Sequence, residues 1–104
     1  MSGTIAVAPD KRWSAAGWLF EWAVEALAED LDDDAAVATL REIIDDNLGW
    51  LGLDDLSPAT RAEVLRRIRT ELVDRADREL PPALPNRSEA VDLLRDLSRL
   101  AETA

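Results

Sequence analysis

The chain has 104 residues, a net charge of −10 and an apolar fraction of 47%. That length and composition fit one globular domain, with a core that buries roughly two-thirds of the surface exposed by the unfolded chain. There is no Cys and no His, which excludes disulfides, zinc thiolate sites, thiol nucleophiles and the commonest general base and metal ligand.

The charge is uneven. Residues 1–56 hold 13 acids and 3 bases, whereas residues 57–104 hold 9 of each. An acidic first half repels nucleic-acid phosphates and anionic lipid, and it attracts a basic protein surface. No apolar run approaches the length of a membrane span, and the N-terminus has no long apolar leader. The expected compartment is the cytoplasm.

Residues 1–12 are small and polar and read as a flexible N-terminal arm ending in the turn pair Pro9-Asp10. Residues 13–104 read as a single helical domain. The stretch from Trp13 to Leu31 holds three of the four Trp residues and the only Phe. Its periodicity predicts a helix over 14–31, with Ser14 as cap. Leu19, Phe20, Ala23, Val24, Leu27 and Leu31 share an apolar face, and Trp13 falls on the same side. Glu21, Glu25 and Glu29 fall opposite. Trp18 and Trp22 lie one turn apart among those glutamates rather than on the core face. One reading packs this helix on both sides, or lays the two rings beneath the Trp50 segment. The other makes the rings an exposed anchor for a partner, a role in which Trp is enriched.

The acidic run Glu29 to Asp34 suits a helix start, with Asp33 or Asp34 as N-cap. Asp30, Asp32 and Asp34 match the first three ligands of a helix-loop-helix calcium loop. Ala35 and Arg41 stand where that loop needs Gly and Glu, so no metal is expected. The second helix is predicted over 35–47, stopped by Asn47 and Gly49 in left-handed conformations. Leu48 to Leu56 reads as a buried loop that lids the core, with Trp50 as its plug.

Within that loop, Gly52-Leu53-Asp54-Asp55-Leu56 resembles the attachment site of acyl carrier proteins, Gly-x-Asp-Ser-Leu. Asp55 replaces the serine that holds the phosphopantetheine arm, so the resemblance implies a helical shape but no carrier function and no cofactor.

Ser57-Pro58 marks the start of a third helix, predicted over 58–80 and ended by Pro81-Pro82. Arg69 falls near the middle of its apolar side, where a snorkelling stem is favoured over a buried ion pair. Asn86 and Glu89 have the spacing of a capping box for a fourth helix over 87–102. The four segments predict an all-α fold, an antiparallel four-helix bundle.

Catalytic means are sparse. Lys11 is the only lysine, most hydroxyls sit at predicted helix ends, and no Gly-rich phosphate loop is present. The expectation is a non-enzymatic acidic domain that covers a basic surface on another protein. This is the physical type of inhibitors such as toxin-neutralising immunity proteins. The expected contact residues are Trp18, Trp22, Glu21, Glu25 and Glu29. The alternative is a structural or adaptor subunit that forms a helical homodimer. Neither nucleic acid nor membrane is an expected partner.

Overall fold

The computed structural model describes residues 2–29 and 31–104. It overturns the four-helix bundle: the chain builds a three-stranded mixed sheet and five helices. The first 16 residues account for most of the difference. Pro9 and Asp10 do turn the chain, but between two strands, β1 (Ser2–Ala8) and β2 (Lys11–Ala16). The segment expected as an arm therefore holds β1. The two strands pair antiparallel, with Ile5 opposite Trp13 and Thr4 opposite Ser14. Alternation sets their faces. Gly3, Ile5 and Val7 of β1, with Trp13 and Ala15 of β2, are buried on the inner face. Thr4, Arg12, Ser14 and Ala16 take the outer face. Ser14 there bonds the Thr4 hydroxyl at 2.9 Å instead of capping a helix.

The first helix, α1, spans Gly17–Ala28 and not 14–31. Seven of its twelve residues are buried, among them Leu19, Phe20, Ala23, Val24 and Leu27. It packs against β1 and β2 on one side and against α2 (Asp34–Asp45), α3 (Pro58–Thr70) and α4 (Leu72–Glu79) on the other. Its approach to the sheet depends on Gly3. A Cβ at that position would lie 2.1 Å from Phe20 Cγ, so the aromatic ring occupies the space a side chain would need.

Asp33 caps α2, accepting hydrogen bonds from the Ala35 and Ala36 amides at 3.1 and 3.2 Å. Its other oxygen accepts from the buried Thr60 hydroxyl at 2.7 Å, which ties the start of α2 to α3. Asp30, one of the three acids of the calcium comparison, lies outside the described residues.

After α2 the chain turns through Asn47 (φ 52°) and Gly49 (φ 68°), both left-handed as their types allow. It then enters β3 (Trp50–Gly52), which pairs parallel to β1, and a single 3₁₀ turn (Leu53–Asp55). The strand order is β2-β1-β3. Here the lid reading fails. Leu51 and Leu53 are the buried residues, and Trp50 points to the outer face with 42% of its surface exposed.

Ser57 caps α3 ahead of Pro58, accepting from the Thr60 amide at 3.3 Å. The helix expected over 58–80 breaks at Glu71. No Gly or Pro stands there. The Thr70 hydroxyl bonds back to the Arg66 carbonyl at 2.7 Å, a contact of the kind that bends helices. Arg69 is exposed at this corner, clear of the core. The last helix, α5 (Arg87–Glu102), packs on α3, α4 and β2 through Ala90, Val91, Leu94, Leu97 and Ala101. Asn86 precedes it but makes no side-chain cap bond. Two long-range contacts fasten the hairpin to α5: the Trp13 indole donates to the Leu93 carbonyl at 2.7 Å, and Lys11 donates to the Thr103 carbonyl at 2.6 Å.

Gly3→Ala should cost about 1–3 kcal/mol, the usual penalty for forcing atoms into a packed core. Urea unfolding checks it; an unchanged midpoint would show that Phe20 can withdraw freely.

Acid should also weaken the fold. Hydrogen bonds from Arg66 and then Arg67 lower the Glu63 pKa from 4.5 to about 2, and the Thr60 hydroxyl leads the lowering of Asp33. A carboxyl lowered in the folded state stabilises fully above its unfolded value and loses that contribution as pH falls. For Glu63 the window runs from 4.5 down to about 2. Glu63→Gln should flatten the melting temperature across that window relative to the parent. Parallel pH profiles would show that the Glu63 bonds to Arg66 and Arg67 contribute no stability.

Candidate protein-binding surfaces

The five residues singled out from the sequence all lie on α1 or its C-cap, but their surroundings differ. Trp18, in the first turn, is 42% exposed beside Ala16 and the N-terminal end of α5 at Asn86, Glu89 and Leu93. Trp22 is half-buried and packs against the core, close to Arg75 and Glu79 of α4. Glu25 is exposed and Glu21 half-exposed, and neither forms an ion pair among the described residues. Glu29 is engaged: its carboxylate accepts from Arg75, and its backbone carbonyl accepts from Arg67. Arg75 also holds Glu79, so α1 and α4 are joined by a short chain of charges. The two rings therefore belong to different environments, one facing solvent and one lodged against α4.

Charge pairing separates the two halves of the chain. Seven of the nine ion pairs among the described residues join partners within residues 57–104. Among the described residues of the first half, only Glu29 and Asp54 are in ion pairs, with Arg75 and Arg61. Asp32, Asp34, Glu42, Asp45, Asp46 and Asp55 are exposed and without an ion pair among the described residues. The balance of the second half is thus spent locally, while the first half keeps its negative field.

A second aromatic feature lies on the outer face of the sheet, where residues far apart in the sequence meet. Arg12 on β2 and Trp50 on β3 flank the central strand, and the Arg12 guanidinium stacks over the Trp50 ring 5.3 Å from its centroid. Ala6 lies in register with both Arg12 and Gly52, which explains why it is 7% exposed although it faces outward. Gly52 makes room for the ring: a Cβ there would lie 3.2 Å from Trp50 Nε1 and 3.1 Å from Asp55 Oδ2. Ala6, Ala8, Pro9, Asp54 and Asp55 complete a shallow depression around the pair. Leu48, two residues ahead of Trp50, is 56% exposed.

Among the described residues no group of three His, Cys, Asp or Glu is placed to hold a metal ion. In the cleft between α1 and α4, Arg75 pairs with Glu29 and Glu79, Arg67 pairs with Glu63 beside it, and the described lining has no hydroxyl or amine nucleophile. No described helix is long and apolar enough to cross a membrane. The chain matches no protein-family model, no curated protein and no solved structure.

The stacked pair has a measurable energy. A double-mutant cycle on Arg12→Ala and Trp50→Leu should return a coupling of about 0.5–1 kcal/mol, the range for an exposed cation–π contact. Additive effects would mean the stack carries no energy.

Proposed function

We propose that this protein is a non-enzymatic acidic binding domain that covers a basic surface of another protein, in the manner of an inhibitor or an immunity-type protein. One observation carries the proposal. Trp18 stands 42% exposed on α1 near Glu21 and Glu25, which have no ion-pair partner among the described residues, in a molecule whose other half pairs most of its charges. Exposed aromatic anchors dominate binding energies, and the surrounding charge speeds and selects the encounter. Trp18, Glu21 and Glu25 form the forward part of this contact surface. Trp22 and Glu29 support it from behind, through the packing and ion pair that hold α1 on α4.

The two rings should respond differently to substitution. Trp18→Gln should change stability by no more than about 0.5 kcal/mol, as exposed substitutions do. It should also abolish capture of a basic partner from an extract of the native host. Trp22→Gln should cost about 1–3 kcal/mol, since part of its ring is buried. Undiminished capture by Trp18→Gln would remove the α1 surface from the proposal. The alternative, a subunit of a helical homodimer, requires the mass from light scattering to rise with concentration. The charge of −10 on each copy opposes such self-association.

A further inference from the structure

The edge of the sheet at β3 has unused backbone groups. In a parallel ladder, alternate residues of a strand direct their N–H and C=O groups to the neighbouring strand, and the residues between direct theirs away. The Thr4 amide donates to the Gly49 carbonyl at 2.9 Å, and Thr4 is in register with Trp50. That bond fixes the phase. Leu51 bonds to β1, whereas the N–H and C=O of Trp50 and the N–H of Gly52 point to the outer side. No strand lies there, because β3 ends the order β2-β1-β3. Among the described residues these three groups make no hydrogen bond.

The side chains at this edge share one character. Leu48 and Trp50 are two of the three large apolar residues that are exposed among those described. Asp45 and Asp46 precede them in the chain, Asp54 and Asp55 follow, and all four carboxylates are exposed. Only Asp54 is paired, with Arg61. The Arg12 stack and the bare backbone of Gly52 seat the Trp50 ring on the sheet, which lowers the rotamer freedom lost on binding.

We propose that the outer edge of β3 accepts an extended basic segment of a partner protein as a fourth strand. The segment's main chain pairs with Trp50 and Gly52. Its alternate Arg or Lys side chains, on the outer face, lie against the Asp55 carboxylate and the part of the Trp50 ring that Arg12 leaves exposed. Main-chain pairing supplies affinity in such strand addition, and side chains at every second position supply selectivity. The acids around the edge favour a basic strand over a second copy of this acidic chain. The inference rests on the acidic-binding proposal for the sign of the partner's charge, but it places contact on the sheet edge instead of on α1.

The test is a titration of the ¹⁵N-labelled protein with a capped octapeptide of alternating Arg and Val, followed by amide and indole shifts. The Trp50 and Gly52 amides and the Trp50 indole should move together, and the Trp50 amide should gain protection from exchange. The same peptide with every second backbone nitrogen methylated keeps its charge but loses main-chain donors. It should bind at least about tenfold more weakly, as expected when strand pairing supplies the affinity. Asp55→Asn should weaken the parent peptide roughly twofold to fivefold, the worth of an exposed ion pair. Equal binding of the methylated peptide, or no shift at the edge at millimolar peptide, overturns the proposal. Shifts confined to Trp18, Glu21 and Glu25 overturn it too, while leaving the α1 surface in place. Edge shifts that depend on protein concentration without peptide would assign the edge to a second copy and would also overturn it.

Discussion

The contact of Phe20 with the bare backbone at Gly3 is the constraint on which the rest of the molecule depends. A strand normally keeps a packed helix at a distance set by its inward side chains. At Gly3 there is none, and the ring of Phe20 lies where a Cβ would stand. This lets α1 sit close on β1 while its other side still reaches α2, α3 and α4. The helix is consequently buried on two sides, with Ala23 and Val24 fully enclosed. Its rotation about its own axis is then fixed, and that rotation decides that Trp18 meets solvent while Trp22 meets α4.

Much of the helical part was legible in the sequence, because its signals are local. Asp33 and Ser57-Pro58 open helices by side-chain chemistry that acts within three residues, and Asn47 and Gly49 stop one by their tolerance of positive φ. The strands were not legible, because their pattern is short and carried by small residues. In β1 only Ile5 and Val7 are large enough to mark an inward face, and Gly3 marks it by having no side chain. In β2, Trp13 and Ala15 alternate as a strand requires, but Trp13 also falls in phase with the helix that follows. That coincidence extended α1 backwards over β2 and turned a mixed fold into a helical one. Trp50 was misplaced for a related reason. The bulk that makes Trp usually buried is here laid on an open sheet face, and the smaller Leu51 takes the core. The break at Glu71 had no Gly or Pro to announce it. As for the binding surface, the phase of Trp18 on α1 could be read, whereas pairing of Glu29 with Arg75 depends on a helix far along the chain.

The division of charge has a structural side. Ion pairs in α3 and α5 are mostly three or four residues apart, so each is closed within one helix, as with Glu63 and Arg66 or Asp96 and Arg99. Exposed single pairs such as Asp92–Arg95 and Asp96–Arg99 add little to stability but cancel the far field, whereas Glu63, held by two arginines, both stabilises and cancels. Among the described residues, the exposed acids of α2 and of the segments flanking β3 have no such partners, apart from Asp54. Their field extends into solvent for about a Debye length, roughly 8 Å at physiological salt. The surface contributed by the first half of the chain thus stays the more acidic toward an approaching protein.

The Trp13–Leu93 and Lys11–Thr103 bonds impose an order on how the chain reaches its final form. Strand β2 is held by residues 80 to 92 positions further along the chain, and the parallel partner of β1 arrives only with Trp50. During synthesis the hairpin therefore emerges with α1 close behind it but well before β3 and α5, and an isolated two-stranded hairpin is at best marginally stable in water. Helices α1 to α4 can form and meet as they emerge, since most of their contacts are near in sequence. The sheet closes only once Trp50 has been made, and the hairpin is fastened to α5 later still, so the loop-closure entropy of both steps falls late in folding.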